Sequence, residues 1–220
     1  MNAAAKQWEL LVLTADKNAQ SALEGLLGRP QALGIRPIQA LRILVHPRRD
    51  PAVLRDSHNF LRPFLGQARY CLVVFDREGS GERNRGRDEL EGIVQSNLDA
   101  NGWQGRSAVV VIDPELEAWV WSDSPQADAV LGWPCGGRQL RQWLMACGLL
   151  QRENTKPSRP KEAVETALRE SRTSRSSALY KALAVKMSFK GCTDAAFGKL
   201  RRCLAAWFPA GNKGANTRIG

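Results

Sequence analysis

The chain has 220 residues, 43% of them hydrophobic and 25% charged, a composition that suits a folded protein with a sizeable core and leaves no large part to disorder. Its longest apolar runs, 71–75 and 108–112, are far too short to span a bilayer, and no signal-peptide pattern opens the sequence, so a cytoplasmic protein with no membrane role is expected. The net charge of +10 is unevenly placed: residues 1–134 hold 15 Lys and Arg against 17 Asp and Glu, whereas residues 135–220 hold 17 against 5.

A basic half beside a slightly acidic half suggests attraction to a polyanion, nucleic acid first, although basic helices also serve simply as solvated faces. The five cysteines, at 71, 135, 147, 192 and 203, have no short metal-ligand spacing and read as small buried hydrophobes. Two histidines, His46 and His58, are a poor supply for a zinc site or a histidine-based triad.

Four short apolar runs, 8–13, 41–45, 70–75 and 108–112, alternate with amphipathic stretches, the pattern of βαβ units and a mostly parallel sheet. A helix is expected over 17–27, where Ala22, Leu23, Leu26 and Leu27 share a stripe before Gly28 and Pro30 stop it. The second crossover is expected over 51–65. The third runs over 87–101, with Leu90, Ile93, Val94 and Leu98 on one face and Asn101-Gly102 as its cap. After the fourth strand, Asp113-Pro114 reads as an N-cap and first helical residue, which places a short helix over 115–121. A further helix is expected over 137–146, a linker over 151–160, and helices over about 161–171, 175–187 and 193–207. The chain thus divides into an α/β domain over 1–134, a basic helical region over 135–208 and a mobile tail over 209–220.

Ligands of an open parallel sheet bind outside the carboxyl ends of its strands. Those positions are acidic three times: Asp16 after strand one, Asp76 and Glu78 after strand three, and Asp113, Glu115 and Glu117 after strand four. Carboxylates gathered from neighbouring strands repel one another unless a hard cation such as Mg²⁺ neutralises them. Asp16 and Asp113 also have a plainer reading as helix caps, and Glu78 as a solvated loop charge. Trp119 reads as packing between two parts of the chain, whereas Glu117 on the same short helix needs a metal, a base or a cation as partner.

The segments Ala15-Asp16-Lys17-Asn18, Phe75-Asp76-Arg77-Glu78-Gly79-Ser80-Gly81 and Ile112-Asp113-Pro114-Glu115-Leu116-Glu117-Ala118-Trp119, in this strand and helix order, resemble the Toprim-like proteins of bacterial defence islands. The resemblance is nearest to components of methylation-associated anti-phage defence systems and covers nearly the whole chain, with a weaker match in the helices around Tyr180-Lys181 and Phe208. It implies a Toprim-like sheet of about four strands followed by a basic all-helical region. It also implies phosphodiester chemistry in which Asp16 handles protons and Asp76 with Glu78 binds Mg²⁺, or Mn²⁺ as a substitute; with Glu117, added for its own need of a partner, these four residues are expected around the metal. Other proteins of the defence system are implied as partners.

Two positions differ from the family pattern, which has Glu where Asp16 stands and Asp-x-Asp where Asp76-Arg77-Glu78 stands. Lys161, Lys181, Lys186, Arg201 and Arg202 are the candidate contacts to a nucleic-acid backbone. Three functions remain open at this point: a metal-dependent nuclease, a non-catalytic module that binds nucleic acid or a partner protein, and a nucleotide sensor.

Overall fold

The computed structural model describes residues 6–121, 124–133, 139–189 and 192–211. Four strands, β1 (Trp8–Thr14), β2 (Leu41–Val45), β3 (Ala68–Asp76) and β4 (Ser107–Ile112), form one all-parallel sheet in the order β2-β1-β3-β4. The α/β class and the four parallel strands agree with the sequence reading. The inner strands β1 and β3 are runs of Leu, Val and Phe because crossover helices cover both faces of such a sheet.

Helix α1 (Lys17–Leu27) and the single turn α2 (Pro30–Leu33) lead from β1 to β2. Helix α3 (Arg49–Leu61) leads to β3, and α4 (Arg87–Leu98) to β4. Alternate residues of the strands serve opposite faces. Leu11, Leu13, Val73 and Phe75 pack with Val53 and Leu54 of α3 and Leu90 and Val94 of α4. Leu10, Val12, Leu72 and Val74 face the other way, toward α1.

One crossover helix cannot cover that second face, and the later helices complete it. These are α5 (Pro125–Val130), α6 (Leu140–Ala146), α7 (Pro160–Glu170), α8 (Ser177–Lys186) and α9 (Ala195–Trp207). Tyr180, Leu183, Phe197, Leu200 and Phe208 join one apolar cluster with Leu10, Val12 and Leu23. The sequence reading divides the chain at residue 134, but no division of the core falls there, because the α1 face of the sheet stays open without α8 and α9. The α6 region was expected to begin at 137, and 134–138 lie outside the described residues. The α5 helix was not expected.

Two details show how closely the C-terminal helices are seated. A Cβ at Gly25 of α1 would stand 2.8 Å from the backbone oxygen of Lys181 in α8, so glycine is what lets the two helices approach. Beyond α9, the Arg36 amide donates to the Phe208 carbonyl at 3.1 Å, Pro209 bridges to Ile35, and Trp207 stacks on Tyr70. The expected tail from 209 therefore begins with a residue held by the sheet's own connection, and 212–220 lie outside the described residues. No helix among the described residues is long and apolar enough to cross a membrane.

Gly25→Ala should destabilise the protein by about 1–3 kcal/mol, the usual cost of overpacking. Gly92→Ala, on an open face of α4 with nothing near the new methyl, should be neutral or stabilising by a few tenths. Urea unfolding of the two variants checks the contrast, and equal midpoints would mean that α8 can move away from α1 at little cost.

Candidate functional site

The chain leaves β1 for β2 by way of α1 on one face, then returns to β3 on the far side of β1 by way of α3 on the opposite face. Winding reverses between β1 and β3, and the diverging loops leave a crevice at their carboxyl ends. The crevice is an open cleft of about 870 Å³. Asp16, Asp50, Asp76, Glu78 and Glu115 line it, together with Arg48, Arg49, Arg77, Arg159 and Lys161.

Asp76 is the last residue of β3, between β1 and β4. Its amide donates to Asp50 Oδ1 at 2.9 Å, and the Leu116 amide lies near enough to its carboxylate to favour the charged form. Removal from water, and then the neighbouring carboxylates of Asp50, Glu117 and Asp16, hold its pKa well above the ordinary carboxylate range. Asp76 makes no ion pair among the described residues. Asp50, in the first turn of α3, is likewise pushed up by burial and by Asp16. A Cβ at Gly79 would stand 2.7 Å from Asp50 Cγ, so that glycine makes room for the Asp50 side chain.

Asp16 fills the capping role weighed for it: its Oδ1 accepts from the Ala19 amide at 2.8 Å at the start of α1. Glu78 is exposed at the turn after β3, where its amide donates to the Pro114 carbonyl. Asp113 does not cap a helix. Its carboxylate accepts from Arg77 Nε at 2.6 Å, a charge-assisted bond that outcompetes a helix amide, and the chain beyond it forms only a 3₁₀ turn over Leu116–Trp119. Glu115 Oε1 accepts from the Lys161 amide at the start of α7, and burial followed by the charge of Glu117 raises its pKa.

Glu117 is buried, stands close enough to act on Asp76, and is turned away from the cleft. It accepts from the Tyr180 hydroxyl and from Arg175 Nη2 at 2.7 Å, while Arg175 Nε donates to Tyr180 Oη at 2.8 Å. Burial and then Glu117 push the Tyr180 phenol pKa up. The partner Glu117 requires is therefore a cation from the loop before α8. Stripping Arg175 away would leave a buried charge, at a cost of about 3–5 kcal/mol. Trp119 is core, as expected, edge-on to Phe197, with Nε1 donating to Asp194 at 3.1 Å.

Among the described residues, no three of Asp, Glu, His and Cys are gathered closely enough to hold a metal between them. Asp16, Asp76, Glu78 and Glu117 are thus not brought together as one ligand set. The donor chemistry still fits Mg²⁺, which commonly takes only one or two protein carboxylates and completes its shell with water and substrate phosphate. The fitting pair is Asp76 with either Asp50 or Asp16. Asp50, in the first turn of α3 after β2, is not among the acidic strand ends that the sequence marks. The segment Arg48-Arg49-Asp50-Pro51 after β2 carries the same signal.

Of the basic candidates, Lys161 lines the cleft, whereas Lys181, Lys186, Arg201 and Arg202 do not. Lys181 pairs with Glu24 of α1 at 3.2 Å, and the other three are exposed on α8 and α9. Arg49 was not foreseen. It has a left-handed backbone, with φ of 55°, a conformation that costs a side-chain-bearing residue about 1–2 kcal/mol.

Because Asp76 and Asp50 are harder to ionise in the fold than in the unfolded chain, their contribution to stability is full at low pH. It is lost as pH rises through their raised values. Asp76→Asn keeps an acceptor for Leu116 and removes the charge. It should melt above wild type at about pH 7–8 without divalent ions, with the gap closing toward about pH 4, the ordinary carboxylate range. A variant that melts lower at neutral pH would show Asp76 to be a needed partner of a cation instead. No family model, curated protein or solved structure matches the chain, so the site is read from its own geometry.

Proposed function

We propose that the chain is a Toprim-like, Mg²⁺-dependent nuclease that acts on nucleic-acid phosphodiesters as a component of an anti-phage defence system. The observation that carries the chemistry is Asp76, an uncompensated carboxylate at the switch point of a parallel sheet, with Asp50 and Asp16 beside it and arginines around the same cleft. The defence setting rests on the resemblance of the three strand-end motifs. Asp76, with Asp50 or Asp16, would hold Mg²⁺ or Mn²⁺, which when bound withdraws charge from a phosphoryl oxygen. Arg49 and Lys161 attract and orient the phosphate. Asp16 keeps one oxygen on the Ala19 amide, which fixes its orientation, and offers the other for a proton.

The second reading is a non-catalytic Toprim-like module that binds nucleic acid or a partner protein. It is favoured by the pairing of Glu117 with Arg175 and of Asp113 with Arg77, which removes two strand-end carboxylates from any metal set.

Metal dependence separates the two. The nuclease should gain stability with Mg²⁺ or Mn²⁺, by about 2.7 kcal/mol at 100 times the dissociation constant. It should also cleave single- or double-stranded DNA or RNA only when the ion is present. Asp76→Asn should lose both the metal-induced stabilisation and the cleavage while staying folded. A wild-type protein that neither melts higher with either ion nor cuts any nucleic acid, tested with its partner proteins present, would leave the binding module as the function.

A further inference from the structure

Next to the cleft lies a second open groove of about 470 Å³, lined by Arg169, Arg172, Thr173, Ser174 and Arg175. Glu165 of α7 lines both, so the two depressions adjoin at that side chain. The described chain has two non-glycine residues with positive φ, and both are arginines: Arg49 in the cleft (φ 55°) and Arg172 in the groove (φ 54°).

Arg172 occupies the turn that ends α7, where its amide donates to the Arg169 carbonyl and the Thr173 amide to Leu168. Glycine is the residue such a helix end favours. Neither guanidinium is engaged in an ion pair or hydrogen bond among the described residues. Arg175, which also lines the groove, is by contrast held by Glu117, Tyr180 and Glu165. Strained backbone that keeps a free cation at the rim of a groove is a feature of ligand sites.

We infer that the cleft and the groove form one track for the phosphodiester backbone of a nucleic-acid strand, with Arg49 anchoring a phosphate at the carboxylates and Arg172 a phosphate further along. The inference rests on the proposed action on nucleic acid and extends it: it says where the strand leaves the site. It shifts backbone binding away from the outer faces of α8 and α9, where Lys186, Arg201 and Arg202 lie. Phosphate, rather than an acidic protein, is favoured because Ser174 and Thr173 add hydroxyl donors beside the arginines.

The test uses the full chain with and without Mg²⁺ and measures fluorescence anisotropy with labelled, cleavage-resistant phosphorothioate oligonucleotides of about four and about twelve nucleotides, lengths that bracket one compact site. Arg49→Gly and Arg172→Gly relieve the left-handed strain, so both variants should stay folded. Arg49→Gly should weaken both oligonucleotides several-fold. Arg172→Gly should weaken only the longer one and lower its salt slope by about 1. Arg201→Ala with Arg202→Ala should change neither.

Unchanged affinity of Arg172→Gly for the longer oligonucleotide, with a lowered melting temperature, would make Arg172 a counter-charge for the end of α7 and overturn the track, while leaving the cleft reading standing. Loss confined to the Arg201 and Arg202 variant would also overturn it, by placing the strand on α9. Tighter binding of an acidic peptide than of either oligonucleotide would overturn it in favour of a protein partner. Wild-type protein that binds neither oligonucleotide at low salt would overturn the underlying action on nucleic acid together with the track.

Discussion

A parallel sheet that winds both ways must reverse direction between two of its strands, and in this chain the reversal falls between β1 and β3. At that point no crossover covers the strand ends, so polar side chains there meet both water and one another. The chain places a carboxylate at each of its three nearest positions, Asp16, Asp50 and Asp76, and sets each beside a backbone amide rather than a cation. An amide stabilises a carboxylate without supplying a full positive charge. Mutual repulsion therefore remains, and Asp76 feels it from Asp50, Glu117 and Asp16 together. Positive charge placed beside Asp76 would relieve that repulsion.

The later helices matter to this point as much as to the core. Arg175 and Tyr180 reach from the loop before α8, and from α8 itself, to Glu117, and so secure the 3₁₀ turn that presents the Leu116 amide to Asp76. Lys156 is 2.9 Å from Asp194, which in turn receives the Trp119 indole, so the far end of the same turn is tied to α9. On the outer edge of the sheet, Glu91 of α4 accepts from the Val111 amide and pairs with Lys199 of α9 at 2.8 Å, which closes the edge of β4 with a charged side chain. The Arg175 and Lys199 pairs join the last part of the chain to the first, and with Lys156 they spend three basic residues of the C-terminal region on structure.

Much of the architecture is legible in the sequence because burial on both faces makes parallel strands into apolar runs. The runs at 8–13, 41–45 and 108–112 match their strands to within a residue, while β3 extends two residues before and one after its expected span. Helix α1 spans the residues its apolar stripe marks. What composition cannot show is which face a later helix covers. The shift from α/β alternation to basic helices looks like a domain boundary, yet Tyr180 and Phe208 complete the core that Leu10 and Leu23 begin. At the site, Asp16 and Asp76 are legible from strand-end position. Asp50 follows β2 by five residues and shows its role only through its bond to the Asp76 amide, a contact 26 residues away in sequence. The direction in which Glu117 turns is set by Arg175, 58 residues further on, and no local pattern encodes it.

The same reasoning changes the meaning of the positive excess. Counted along the sequence, residues 135–220 look like a broad cationic surface. In the fold, Lys156, Arg175, Lys181 and Lys199 answer Asp194, Glu117, Glu24 and Glu91, so their charge is largely cancelled where it stands. A polyanion responds to the local field and not to net charge, because screening limits each exposed charge to about 8–10 Å at ordinary salt. Unpaired cations next to a carboxylate-rich cleft therefore count for more than a larger number on a distant helix. Arg49 and Arg172 are in that position, in two depressions that adjoin at Glu165, and each is held there by a backbone conformation that its own side chain disfavours.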